Sequence, residues 1–473
     1  MSERFDAVVI GGGVGGLVAV SLLARAGLRA LLLERAETLV GPGGDAALRA
    51  LDPRVVAELK LARHGLKFVQ RDLALTFLRS AGQPVALVRD RHAVARALAA
   101  LSPADAAAYA PFQSERLALA RALRPAWWDG APLAEAAANL KQPQCDLLDR
   151  LCVTSAACWL AAHFESDALK AALAFDAAAC GFAPSEPGSA LGLIWSAAQE
   201  MCGLQGAVAI PRGGAGVLAQ ALAQAAQTSG AQIRTNSTVT SLSIANGRVA
   251  GVVLASGEQI DAPLVVSALG RRDTLENLLP TALIGLGAAQ VHPAAQTAVA
   301  TLVMGLNRAP DLGGGMTLAD KRIVIAERLE TYETAFYAAR LGEMPREPVL
   351  ELIVPPAETA AREMASRLLF YANVWPVPVP FDRDGLVRTV TAQIERHIPG
   401  FGGGIASCDV LPAHAVLPSV ERLSAPAAAR IGTPIPGLYL CGVDAEPADA
   451  ISGRAARQAA RAVLAAHRSG GVR

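Results

Sequence analysis

The sequence predicts a chain of mixed class, α/β and α+β, in two parts. One part is a nucleotide-binding layer assembled from separated segments; the other is a mixed body inserted between them. Three observations predict this. The N-terminal stretch "DAVVIGGGVGGLVAVSLLARAGLRALLLER" sets a glycine-rich turn and a helical run between two short apolar runs. From Ala209 an alanine-rich helical region gives way to loop, helix, strand and hairpin. Near the C-terminus, "LYLCG" is a further apolar strand ending in glycine. A chain of 473 residues is also too long for one small core.

The first element is a strand over Ala7 to Ile10, apolar throughout and suited to burial on both faces. Gly11, Gly13 and Gly16 then supply G-x-G-x-x-G. Gly11 permits the tight turn. Gly13 lets a pyrophosphate approach the backbone, and Gly16 lets helix pack on strand. The helix runs from Leu17 to Ala26 and ends at Gly27. Its N-terminus offers unpaired N–H groups and a partial positive charge to phosphate. Leu28 to Leu33 is the second strand. Glu34 ends it at the spacing where an acid accepts hydrogen bonds from a ribose. The motif alone does not separate FAD from NAD. A dinucleotide turn at the N-terminus with its remaining strands supplied hundreds of residues later is a flavoprotein arrangement.

From Ala93 to Gln199 the pattern is helical, broken at Pro103, Pro125, Pro132, Pro184 and Pro187. Trp127, Trp128, Phe164, Phe175, Phe182 and Trp195 are candidates for core or for an apolar pocket. After the returning helix, Asn246-Gly247 and Ser256-Gly257 predict the turns of an antiparallel meander. Leu264 to Ala268 is a strand of the first part. Between Arg271 and Ala413 strands are expected at Ala298–Met304, Ile323–Ala326 and Leu369–Val374. The resulting division is 1–90, 205–275 and 411–473 for the nucleotide part, and 91–204 and 276–410 for the substrate part.

Composition narrows the partners. The net charge of +1 gives no footprint for nucleic acid. Hydrophobic residues are 52% and aromatics 4%, and mean hydropathy is +0.33, so the apolar surplus is largely alanine. The most apolar stretch, Ala7 to Ala24, is interrupted by glycines and is not read as a membrane span. No signal-peptide pattern follows it, so a cytoplasmic address and at most peripheral membrane contact are expected. Seven scattered cysteines and seven dispersed histidines predict reduced thiols and no metal site.

Several segments carry a family likeness: "VVIGGGVGGLVAVSLLARAGLRALLLER", "ELKLARHGLKF", "FESDALKAALAFDA", "PGSALGLIW", "IPRGGAGVLAQALA", "GAQIRTNSTVTSL", "VVSAL" and "TPIPGLYLCG". Together they resemble the phytoene-dehydrogenase-like flavoproteins. The resemblance implies a Rossmann-like, glutathione-reductase-related FAD-binding domain and hydride transfer from an apolar, isoprenoid or lipid-like small molecule to flavin. It implies FAD contacts at Gly11, Gly13, Val14, Gly15, Gly16, Glu34, Arg35, Gly43, Gly44, Val239, Gly442, Asp444 and Ile451. Arg212, Gly213 and Gly214 match the family's Arg-Gly-Gly loop. Arg212 and Glu421 are the candidates for acid–base work.

The chain also departs from the family. The loop after Gly43-Gly44 is short, a His- and Gly-rich stretch is missing before the last strand, and "VDAEPADAISG" replaces a glycine-rich flavin loop. A final helix from near Ile451 would aim its N-terminus at the flavin pyrimidine, with Asp449 as its cap and Asp444 near the ribityl chain. A carboxylate there competes for the same N–H groups and opposes negative charge on the flavin. The alternative is therefore a non-catalytic flavoprotein that acts through protein contacts.

If the Gly11–Gly16 turn holds FAD, Gly13→Val abolishes the yellow flavin spectrum of the purified protein, because the side chain fills the pyrophosphate position. Glu34→Ala weakens FAD binding by roughly 1.5–3 kcal/mol, the scale of a hydrogen bond to a charged group, measured by flavin titration.

Overall fold

The computed structural model describes residues 3–39, 46–79, 83–214, 216–280, 283, 297–310, 321–356, 368–415, 420–446, 448 and 451–470. Five strands form the first parallel sheet: β1 (Ala7–Ile10), β2 (Ala30–Leu33), β3 (Gln232–Arg234), β4 (Val265–Ser267) and β5 (Leu438–Leu440). Their order is β3-β2-β1-β4-β5, the doubly wound pattern, with its strands drawn from three separated segments.

Alternation along the strands divides two cores. Ala7, Val9, Ala30 and Leu32 face three helices, α1 (Val14–Arg25), α2 (Gly216–Thr228) and α3 (Arg454–Gly470). Val8, Ile10, Leu31 and Leu33 face the opposite way, against Leu242, Val252 and Ile260 of the antiparallel meander. That meander pairs Val239–Ala245 with Arg248–Leu254, and the latter with Gln259–Asp261. Asn246 (φ 52°) and Gly247 (φ 70°) both take positive φ, the type I′ requirement that the Asn-Gly pair signalled.

The larger sheet runs Ile405–Val410, Thr297–Leu306, Leu368–Pro378, Val349–Ile353, Lys321–Ile325, Ala74–Phe77, Val85–Leu87. The three expected strands lie in its centre and are longer than anticipated. Ala74–Phe77 and Val85–Leu87 fall within the 1–90 segment that the sequence places in the nucleotide part. They belong to this sheet, because Ala74 pairs in parallel with Lys321. One face packs on helix Arg383–His397 through Leu386, Val390 and Ile394. The other packs on the helical region that begins at Arg91–Ala99 and ends at Ala190–Ala198.

Within that helical body Trp127, Phe164, Phe175, Phe182 and Trp195 are buried core residues. Trp127 is fully enclosed and donates from Nε1 to the Leu423 carbonyl at 2.7 Å. Charge is buried here as well. Arg49 pairs with Glu351, and Arg322 bridges Glu351 (3.6 Å) and Asp176 (3.2 Å). Arg116 also pairs with Asp176. Burial pushes the Asp176 carboxyl up, but Arg116 and Arg322 outweigh it and hold it below its ordinary value.

A carboxyl depressed in the folded state stabilises the fold above its unfolded pKa, and that contribution is lost as pH falls through the folded value. Thermal stability should therefore start to fall below about pH 4 and keep falling as pH drops through the depressed folded value. Asp176→Asn should cost about 3–5 kcal/mol at pH 7, because two guanidinium groups lose their shared counter-charge. In that variant the unfolding midpoint should lose much of its dependence on acid pH.

Candidate cofactor site

The site is built where β1 ends. Gly11 turns the chain at φ +97°, and its N–H donates to the Leu33 carbonyl at 2.8 Å. A Cβ on Gly16 would lie 1.9 Å from the Gly11 carbonyl oxygen, so helix and strand meet there at backbone contact. Gly15 is required for a different reason: its Cβ would lie 2.3 Å from the Cys441 carbonyl oxygen. Gly15 thus locks α1 against the end of β5. At Gly13, by contrast, a Cβ would meet nothing within 4 Å. Gly13 is the N-cap of α1, no side chain caps this helix, and no acid lies in its first turn. Val14, half-buried, opens the helix.

An open cradle before uncapped helix N–H groups is what a pyrophosphate needs. The neighbouring groups fit the rest of a dinucleotide. Glu34 is half-buried at the end of β2; its Oε2 accepts from the Gly12 N–H (2.5 Å) and its Oε1 from the Ala36 N–H (2.8 Å). These bonds fix the carboxylate beside the turn and leave it further acceptor capacity for a ribose. The Ser237 N–H donates to the Glu34 carbonyl at 2.8 Å, which brings Val239, the first residue of the meander, close to this acid. Arg35 is exposed. Gly43 and Gly44 lie outside the described residues.

The C-terminal segment differs from expectation. Gly442 is buried, and a Cβ there would lie 2.3 Å from the Leu269 carbonyl oxygen, so backbone packing demands glycine. Asp444 is half-buried in the turn Val443–Ala445 and accepts the backbone N–H of Arg271. Ile451 does not open the final helix. α3 starts at Arg454, and the Ser452 hydroxyl accepts the Arg454 N–H at 2.9 Å. Asp449 lies outside the described residues.

Among the described residues, the acid that bonds this helix N-terminus is Glu446. It is 4% exposed, and its Oε1 accepts the Ala455 N–H at 3.1 Å. Burial raises its carboxyl above the ordinary value against the opposing pull of Ser452 and Arg454. Burial likewise pushes the Arg430 guanidinium down to about 10. Sequence reasoning missed Glu446 because it started the helix at Ile451. Ser452 before the alanine-rich run was the signal that would have placed the start correctly.

Arg454 was missed as well. It is 1% exposed, donates to Gln199 Oε1 at 2.5 Å, lies 3.4 Å from Asp52 and stacks 4.6 Å over the Trp128 ring. It thereby ties α3 to the helical body. Of the two acid–base candidates, Arg212 is exposed in the turn before α2, with its N–H on the Lys67 carbonyl. Glu421 falls in the short helix Val420–Ser424. Among the described residues there is no cluster of three or more candidate metal ligands.

Gly13 and Gly16 make a controlled pair. Gly13→Ala should leave the apoprotein within about 0.5 kcal/mol of the parent, yet lower FAD affinity at least tenfold. Gly16→Ala should destabilise the apoprotein by about 1–3 kcal/mol through overpacking. Chemical unfolding without flavin, combined with flavin titration, checks both.

Comparison with known proteins supports the geometry. Residues 9–65 match the NAD(P)-binding Rossmann-like domain, and residues 59–312 match the flavin containing amine oxidoreductase family. The chain is 27% identical over 554 aligned residues to pyridine nucleotide-disulfide oxidoreductase domain-containing protein 2 of Mus musculus, across 98% of this chain and 94% of that relative. Among solved structures, an oxidoreductase from Methanosarcina mazei superposes with a TM-score of 0.61 at 16% identity, covering 98% of this chain and all of that one. A putrescine oxidase double mutant superposes with a TM-score of 0.62 at 13% identity, covering 99% and 100%. At such identities these two structures show a shared fold. The family match spans more than half of the chain, and the protein belongs to the flavin-containing amine oxidoreductases, which are FAD-dependent oxidoreductases.

Proposed function

We propose that this protein is a dehydrogenase of the phytoene-dehydrogenase-like kind, binding FAD at Gly11–Gly16 and oxidising a small molecule. The observation that carries this reading is the open cradle at Gly13 before the uncapped N-terminus of α1, with Glu34 held beside it. In this reading α1 and Gly13 hold the pyrophosphate, Glu34 the adenosine ribose and the segment at Val239 the adenine. Bound FAD supplies the two-electron hydride acceptor; the protein supplies position, dryness and electrostatics. The nucleotide part comprises 1–73, 205–275 and 411–473. Its first boundary is set before the strand Ala74–Phe77, which pairs with the larger sheet.

The apolar, isoprenoid-like substrate is the finer part of the proposal and rests on the resemblance alone, since five of the six aromatic candidates are buried in the core. We further propose no nucleic-acid partner, at most weak membrane contact and a cytoplasmic address. No helix among the described residues is long and apolar enough to cross a membrane.

One observation favours the second reading, a flavoprotein without catalysis. The Glu446 carboxylate takes an N–H of the final helix that would otherwise be available to stabilise negative charge on the flavin. The absorption spectrum of the purified protein before and after anaerobic reduction tests both readings. A flavin spectrum that bleaches supports the enzyme, one that resists reduction supports the second reading, and no flavin spectrum overturns both. Glu446→Gln should raise the flavin midpoint potential by tens of millivolts, where about 30 mV corresponds to 1.4 kcal/mol for a two-electron couple. An unchanged potential places Glu446 out of reach of the flavin.

A further inference from the structure

A cavity of about 220 Å3 lies where the strand Ala74–Phe77 meets the helices Pro103–Ala122 and Asp167–Ala178. Four arginines (Arg89, Arg91, Arg116, Arg322) line it against two aspartates, Asp72 and Asp176. At the mouth Arg89 is neutralised by Asp72 at 2.5 Å. Exposed Arg91 donates to a hydroxyl, Ser114 Oγ at 2.7 Å. In the wall Arg116 and Arg322 share Asp176, and Arg322 also lies 3.6 Å from Glu351 behind the wall, which Arg49 pairs with as well. The cavity wall therefore carries more cations than it neutralises.

A second observation shows what the wall lacks. Arg322 is 6% exposed, yet its Nε has no hydrogen-bond partner. A buried guanidinium N–H without an acceptor among the described residues is costly, so the neighbouring ion pairs leave this arginine incompletely compensated. Tyr109 also lines the cavity; burial pushes its phenol up to about 12, so the ring stays neutral and its hydroxyl keeps its proton.

We propose that this cavity binds a small carboxylate. A carboxylate matches the planar fork of a guanidinium and adds one negative charge beside Asp176, where a phosphate dianion would add two. The volume falls below the roughly 300–1,000 Å3 of drug-sized sites, which limits the enclosed part of the ligand to a short chain or one ring. The carboxylate belongs either to the reacting substrate or to a separate effector. The proposal does not depend on the redox reading, because binding can be measured without turnover.

The test is calorimetric titration of the flavin-loaded protein with acetate, butyrate, hexanoate and benzoate. The matching amides and inorganic phosphate are titrated at the same ionic strength. At least one carboxylate should bind at least tenfold more tightly than its amide and than phosphate. Arg91→Gln should weaken that binding at least tenfold with an unchanged unfolding midpoint, and Tyr109→Phe should weaken it several-fold. A carboxylate that also shifts the bound-flavin absorption spectrum is the substrate's own group; one that binds without a shift is an effector. Equal binding of carboxylate and amide, equal or tighter binding of phosphate, or an Arg91→Gln variant that binds like the parent, overturns the proposal.

Discussion

The nucleotide half depends on backbone contact at three glycines. Gly16 meets the Gly11 carbonyl, Gly15 the Cys441 carbonyl and Gly442 the Leu269 carbonyl, each too close for a Cβ. These contacts join the ends of β1, β4 and β5 around the N-terminus of α1; Gly15 and Gly442 do so across more than a hundred positions each. Close packing makes the arrangement intolerant, since even one added methyl displaces main chain rather than a flexible side chain. Gly13 stands inside the same turn without such a contact, which is why its openness bears on a ligand rather than on the fold.

Around this frame the protein buries an unusual amount of charge. Asp52, Glu446, Arg430 and Arg454 lie together where α3 begins, and Asp176, Glu351, Arg116 and Arg322 lie between the larger sheet and the helical body. Burial of ions is favourable only when each finds a partner. Burial pushes Asp52 up, yet the Arg54 hydrogen bond and the Arg454 charge together hold it below its ordinary value. Glu446 goes the other way because desolvation prevails over its partners. The first cluster fastens the final helix to the helical body, and the second leaves a cationic cavity wall. The two halves are thus linked by directional contacts as well as by apolar packing.

Much of this was legible in the residue order. β1 and β2 are uninterrupted apolar runs because both faces are covered, and the Asn246-Gly247 turn is marked by residues that tolerate positive φ. The G-x-G-x-x-G turn and Glu34 were likewise readable, since each acts within one local strand–turn–helix unit. The membership of Ala74–Phe77 in the larger sheet was not, because a short strand carries no mark of the partner it will find, here Lys321–Ile325.

Local order therefore determined which segments form strands, which glycines turn and where the G-x-G-x-x-G turn lies, since those properties depend on neighbours within a few residues. Tertiary contact decided the rest. It set Glu446 against the first turn of the last helix, because α3 begins at Arg454 and its Ala455 N–H meets that carboxylate. It paired Arg49 with Glu351, two residues 302 positions apart. It also decided between the two readings of the middle aromatics, burying Trp127, Phe164, Phe175, Phe182 and Trp195 in the core. Charge pairing and desolvation act through space, at distances that sequence spacing does not encode.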